Sequence, residues 1–231
     1  MIFRQLFDHD TWTYTYLLAD EKSKEAVLID PVLEKTDRDL QLLEELGLTL
    51  KYALDTHVHA DHITANGQLR ERTGCQTAVS AKNEVDCIDL HLKDGDSLTF
   101  GALKLDVLET PGHTGGCLSF VCEDKVFTGD ALMIRACGRT DFQQGDAATL
   151  YHSITQKLFQ LGDDKQVYPG HDYKGMSSST IAEEKEHNPR IRLGREGFID
   201  FMEHLDLANP KKIHEAVPAN MDCGFKSSQV V

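Results

Sequence analysis

The sequence of 231 residues contains no C-x-x-C pair, one tryptophan, six prolines and no apolar run approaching the length of a membrane span. Without such a run, of about 18 residues, nothing is expected to cross a bilayer. The six cysteines, at 75, 87, 117, 122, 137 and 223, show no even ladder of spacings. A chain this long can bury a core without staples, so free thiols and a reducing compartment are expected. The first twenty residues lack both the apolar core of a signal peptide and the Arg/Ser bias of a transit peptide, which makes the cytoplasm the expected location. Positive charge is also scarce. Lys+Arg number 24 against 38 Asp+Glu, a net charge of −14. That balance excludes a broad phosphate-binding face, so neither nucleic acid nor an anionic membrane is an expected partner. A small anion held by a few placed arginines stays compatible with it.

What is present is ordinary globular composition, 40% hydrophobic and 27% charged. Alternation marks strands at Ile2–Phe7, Thr13–Leu18, Ala26–Asp30, Lys51–Asp55 and Gln76–Ser80, with a leucine-rich helix closed by Gly47. Asp61 is placed to cap a helix over His62–Arg72, which stops at Thr73-Gly74. A second half repeats the theme, with strands at 97–100, 103–108, 117–121, 125–128 and Gln166–Tyr168. Helices fit 147–161, capped by Asp146, and about 177–187 and 195–205. The tail from Asn209, with Pro210, Pro218 and Ser227-Ser228, is expected to be irregular. Strands followed by helices in both halves predict an α/β fold of four layers, an αββα sandwich, in a single domain spanning 1–231.

The chemistry concentrates at strand ends. His57, His59, Asp61 and His62 form H-x-H-x-D-H where a strand gives way to a helix, and alternation points His57 and His59 the same way. Thr110-Pro111-Gly112-His113 sets a histidine at a Pro-Gly turn after a strand. Thr128-Gly129-Asp130 ends the next apolar strand on a carboxylate, and Pro169-Gly170-His171 repeats the Pro-Gly-histidine arrangement. Together these residue types suit a metal cation. The other six histidines, at 9, 91, 152, 187, 204 and 214, are assigned to the surface.

This order of motifs resembles the metallo-β-lactamase superfamily over roughly 12–175, whose αββα sandwich agrees with the layers read above. Superfamily membership leaves the reaction open. The segment 131–145, with Cys137-Gly138-Arg139-Thr140-Asp141-Phe142-Gln143, then His171-Asp172-Tyr173, Asn188-Pro189-Arg190 and 217–221, resembles the persulfide dioxygenase family. That resemblance implies oxidation of glutathione persulfide by O₂ to sulfite and glutathione. It implies one Fe(II) per chain held by His57, His113 and Asp130, a 2-His-1-carboxylate face with open positions. His59, Asp61, His62 and His171 would then orient those ligands or bound water. Arg139 and Arg190 could anchor an anionic substrate, with Tyr173 and Cys137 beside it. The rival is a glyoxalase II-like thioesterase with two metals, and more remotely a noncatalytic metal-bound module. A homodimer and a sulfur-transfer enzyme as partner stay open.

Overall fold

The computed structural model describes residues 1–208, 210 and 212–225. The chain divides into two compact units. The first comprises Met1–Leu92, Thr99–Leu103 and Asn209–Val231, the second Lys93–Leu98 and Lys104–Ala208.

The first unit is built on a six-stranded sheet: β1 (Ile2–Asp8), β2 (Thr13–Ala19), β3 (Glu25–Ile29), β4 (Thr49–Leu54), β5 (Gln76–Ser80) and β6 (Leu90–Leu92), in sequence order. β1, β2 and β3 run antiparallel; β3 to β6 are parallel. All seven residues of β2 are buried, as a strand covered on both faces requires. Helix α1 (Thr36–Glu45) turns Leu43 toward Leu17, Leu28 and Leu50, with Leu40 and Leu46 at the margin. That stripe matches the leucine spacing of the sequence. Strand β6, only three residues long, has too little alternation to be seen beforehand.

A second sheet has the order β12-β11-β10-β9-β8-β7, and all of it except Thr99, Phe100 and Leu103 belongs to the second unit. Its strands are β7 (Ser97–Phe100), β8 (Leu103–Glu109), β9 (Leu118–Cys122), β10 (Lys125–Gly129), β11 (Gln166–Pro169) and β12 (Ser179–Thr180). Helices α3 (Ala147–His152), α4 (Ile181–His187) and α5 (Gly194–Glu203) flank it, with Leu150, Ile154, Leu158, Phe198 and Met202 in one core cluster.

Several expectations are corrected. Asp61 caps no helix: α2 begins at Asn66 and runs to Thr73, while the Asp61 carboxylate binds His62 Nδ1 at 2.8 Å. A local side-chain partner outcompeted the cap. The helix over 147–161 is capped by Asp146 as expected, yet it is α-helical only to His152 and continues as a π turn and a 3₁₀ turn. The Thr155 hydroxyl donates to Tyr151 O at 2.8 Å, a back-bond that loosens the α ladder. The helix placed at 177–187 starts at Ile181, because Thr180 Oγ1 accepts from Glu183 N and acts as its cap. The tail contains helix α6 (Ile213–Met221) despite Pro218. Ala216 and Ala219 pack on Ile63, so tertiary burial overrides the proline. Ser227-Ser228 lies outside the described residues.

Two of the six cysteines are not free. Cys87 and Cys223 form a disulfide across 136 residues, while Cys75, Cys117, Cys122 and Cys137 are buried free thiols. Spacing in sequence could not reveal a pair whose closeness is created by the fold. No helix among the described residues is long and apolar enough to cross a membrane.

One buried acid gives the fold a pH signature. Asp39 on α1 is fully buried, and burial raises its carboxyl to about 6 against the opposing pull of Arg38, 2.8 Å away. The folded state therefore binds the proton more tightly than the unfolded chain, whose value is 3.8. The associated stability is complete below the unfolded value and is lost as pH rises through the folded one. Asp39→Asn should gain stability over wild type at neutral pH, by at most about 3 kcal/mol, and little near pH ~4. Urea unfolding at both pH values checks this; an equal difference at each would mean the carboxyl is unperturbed.

Candidate metal centre

In the first unit the histidine loop follows β4, and its organiser is Asp30, a residue the motif reading passed over. Asp30 ends β3 with φ +52°, a backbone conformation that Asp tolerates better than most residues. Its Oδ1 accepts from Thr56 N at 2.6 Å and lies 3.1 Å from His59 Nε2; its Oδ2 accepts from the Thr56 hydroxyl at 2.9 Å. Because that hydroxyl proton is committed to Asp30, Thr56 Oγ1 accepts from His57 Nδ1–H at 3.0 Å. His57 is thereby set with its Nε2 lone pair as the donor. His59 is set the other way round: Nε2 faces Asp30, and the buried Nδ1 has no hydrogen-bond partner among the described residues.

The three rings are packed close, with centroids 4.1 Å apart for His57 and His59 and 4.2 Å for His59 and His62. Burial by itself would depress the His59 imidazolium, but Asp30, Asp55 and Asp61 raise it to about 9. Burial, reinforced by Asp30 and opposed by His59, lifts Asp55 to about 7. Asp55 also accepts from Thr64 Oγ1 and Asn66 Nδ2, both at 2.9 Å, and so braces the loop from within. One donor atom from each of His59, Asp61 and His62 falls within 4.8 Å of the others, and the same holds for Asp30, Asp55 and His59.

In the second unit, His113 Nδ1–H donates to Arg139 O at 2.6 Å, which again leaves Nε2 as the lone-pair nitrogen. His113 Nε2 and Asp130 Oδ2 stand 3.7 Å apart, and His171 Nδ1 lies 2.7 Å from Asp130 Oδ1. The loop after Asp130 folds back so that Gly138 N donates to Asp130 O at 2.6 Å. A Cβ at Gly138 would sit 2.6 Å from His113 Nδ1 and 2.7 Å from Asp130 O. Only glycine permits that approach. Arg135, in the same loop, donates its backbone N–H and its guanidinium to the buried Glu184 of α4.

The residues expected around a substrate are placed unequally. Arg139 is already committed: it grips Asp141 through two 2.6 Å bonds, donates to Leu207 O and Ala208 O, and lies 4.0 Å above the Phe142 ring. Arg190 donates to Cys137 O at 2.7 Å and pairs with no carboxylate among the described residues. Tyr173 is 61% exposed and stacks on His171. Cys137, expected beside the substrate, is instead 1% exposed, with its Sγ 3.9 Å from Met202 Sδ. Burial raises its thiol pKa, against the opposing pull of Arg190, so it is a packing residue of the core. The six histidines assigned to the surface are all exposed.

With two mixed sheets, flanking helices and His/Asp clusters at strand ends, the chain belongs to the metallo-β-lactamase superfamily, whose family model matches residues 13–171. Its fold class is that superfamily's αββα sandwich. Within it the chain belongs to the persulfide dioxygenase family. It is 53% identical to "Persulfide dioxygenase ETHE1, mitochondrial" of Mus musculus, over 98% of this chain and 90% of that one. The crystal structure of ETHE1 from Myxococcus xanthus superposes with a TM-score of 0.95 at 56% identity, covering 97% of this chain and all of the other. A hydroxyacylglutathione hydrolase of Brucella ovis is 41% identical, but over only 57% of this chain and 51% of its own.

The glycine and the surface histidines supply a paired test. Gly138→Ala should displace the His113 ring and lower bound metal to about a tenth or less, an effect of at least ~1.4 kcal/mol. His204→Ala, at an exposed site, should leave metal content unchanged. Elemental analysis of both folded variants decides. Full metal in Gly138→Ala would detach that loop from the site.

Proposed function

We propose that this chain is an iron-dependent persulfide dioxygenase that converts glutathione persulfide, O₂ and water to glutathione and sulfite. What carries the reading is the reach of the match. The relationship to persulfide dioxygenases runs over 98% of the chain, whereas the thioesterase likeness covers 57%. In this proposal His57, His113 and Asp130 hold one Fe(II), and the chain works as a single catalytic domain.

The residues fit such an ion. His57 and His113 each present Nε2 because Thr56 and Arg139 O fix their tautomers, and His171 orients the Asp130 carboxylate. His59, Asp61 and His62 complete the polar lining. Bound Fe(II) supplies the redox chemistry that lets ground-state O₂ react with sulfur. The protein's part is to hold the persulfide anion. Arg190 fits that task best, since its charge has no carboxylate partner among the described residues, and its planar fork suits a glutathione carboxylate. Arg139 would have to exchange Asp141 to do the same. In this proposal the exposed Tyr173, stacked on His171, meets the peptide part of the substrate.

One observation favours a second reading. The donors of His59, Asp61 and His62 lie close enough for a further ion, as a two-metal hydroxyacylglutathione hydrolase would need. The compartment we propose from the sequence is the cytoplasm. The four buried free thiols agree with it, and the Cys87–Cys223 bridge weighs against it. A homodimer and a sulfur-transfer enzyme partner belong to the proposal as well.

Protein loaded with iron should hold about one Fe per chain, at 2-His-1-carboxylate stoichiometry. It should consume O₂ only when persulfide is supplied, with sulfite rising in step. Zinc-loaded protein should be inactive, since zinc has no accessible redox change. Efficient hydrolysis of S-lactoylglutathione with persulfide and O₂ untouched would replace this reading by the hydrolase. Arg190→Ala should lower kcat/KM for persulfide roughly ten- to a hundredfold at unchanged iron content, as loss of a charge-assisted contact does. Unaltered kinetics would place the substrate elsewhere.

A further inference from the structure

The segment 59–64 has no regular secondary structure apart from one isolated bridge at Thr64, yet it is largely buried, so its backbone polar groups need partners supplied from elsewhere. One side chain supplies three of them. Asn220, near the end of α6 and buried, donates from Nδ2 to His59 O and to His62 O, both at 2.9 Å, while its Oδ1 accepts from Thr64 N at 2.8 Å. A primary amide is the one side-chain group that can donate twice and accept once in a single plane. Asp would set a carboxylate against two carbonyls, and Ala would leave three buried groups unsatisfied.

The turn that follows is fitted to the same loop. Cys223 O accepts from Gly67 N at 2.9 Å. Gly224, at φ +83°, approaches so closely that a Cβ there would lie 2.0 Å from Thr64 O. Cys223 is then tied to Cys87, and its side chain packs with Val58, Val79 and Val85. Residues more than 150 positions downstream of the histidines therefore fix the backbone that carries them.

We propose that Asn220 is a positioning residue for the metal-binding histidine loop, and that the Cys87–Cys223 bridge fastens Asn220 in place. This rests on the iron reading above for its consequence, but its geometry belongs to the protein alone. With Asn220 present the carbonyls of His59 and His62 are held at fixed points, so the imidazoles leave the backbone in a set direction before any ion arrives. Without it the loop must find water or other partners, and the donors spread over several arrangements.

The test compares amide hydrogen exchange in metal-stripped wild type and Asn220→Ala, together with iron release from the loaded proteins to a ferrous chelator. Exchange over residues 57–66 should accelerate about tenfold or more, while β8, β9 and β10 keep their wild-type rates. Iron should leave about tenfold faster, and kcat should fall while KM for persulfide stays within about twofold. Unchanged exchange over 57–66, or an equal rise in both sheets, would overturn the proposal by making Asn220 silent or a general stability residue. If Asn220→Ala does not fold, Cys87→Ser and phosphine-reduced wild type carry the test. Each should show the same local rise, smaller than that of the alanine variant, and no local rise would overturn the role of the bridge. Wild type that holds no iron, yet shows the exchange pattern with Asn220→Ala, would sink the iron reading and support the positioning role.

Discussion

The chain's first unit depends on burying one carboxylate, Asp30, among imidazoles and a hydroxyl that need it. A lone carboxylate in that interior would be costly, and so would three closely packed histidines. Asp30 offsets part of that cost: it takes hydrogen bonds from Thr56 N and Thr56 Oγ1 and faces His59 Nε2. The same contacts, relayed through Thr56, leave Nε2 of His57 as its lone-pair nitrogen. A network that stabilises the fold is thus also what prepares the donors.

The second unit reaches a similar end by different means. Here a backbone carbonyl, Arg139 O, sets the His113 tautomer, and the loop that brings it there is drawn tight by Gly138 N on Asp130 O. The outer side of that loop is secured by Arg139 on Asp141 and by Arg135 on the buried Glu184. The arginines of this stretch are thus unequal in what they can still bind. Those closing ion pairs hold shape, whereas Arg190 donates to Cys137 O and pairs with no carboxylate among the described residues.

A net charge of −14 and a reaction on an anionic persulfide are compatible for the same reason. Long-range attraction is not what a small-anion site needs; a single placed charge acts over a few ångströms, inside the screening length of about 8–10 Å. The thiols of Cys122 and Cys137 are no rivals to the substrate sulfur either. Burial raises Cys122 to about 11, and Cys137 is raised as well, which keeps both as unreactive packing groups at neutral pH.

The sequence by itself determined most of the strands, whose apolar alternation is local, though not the short β6 and β12, and it set H-x-H-x-D-H and the Pro-Gly-His turns at strand ends. The six exposed histidines were separable from the others on the same basis. What only the tertiary structure decided was every relation between distant residues. Asp30 showed in sequence as no more than a strand end before Pro31, since its partners lie some 26 to 29 positions on. The start of α2 moved to Asn66 because Asp61 found His62, and a helix formed across Pro218 because Ala216 and Ala219 had Ile63 to cover. Cys87 and Cys223 became a pair, and Asn220 a partner of the histidine loop, through contacts that no local pattern encodes. Periodicity records which face a residue turns inward; it does not record what waits on the other side.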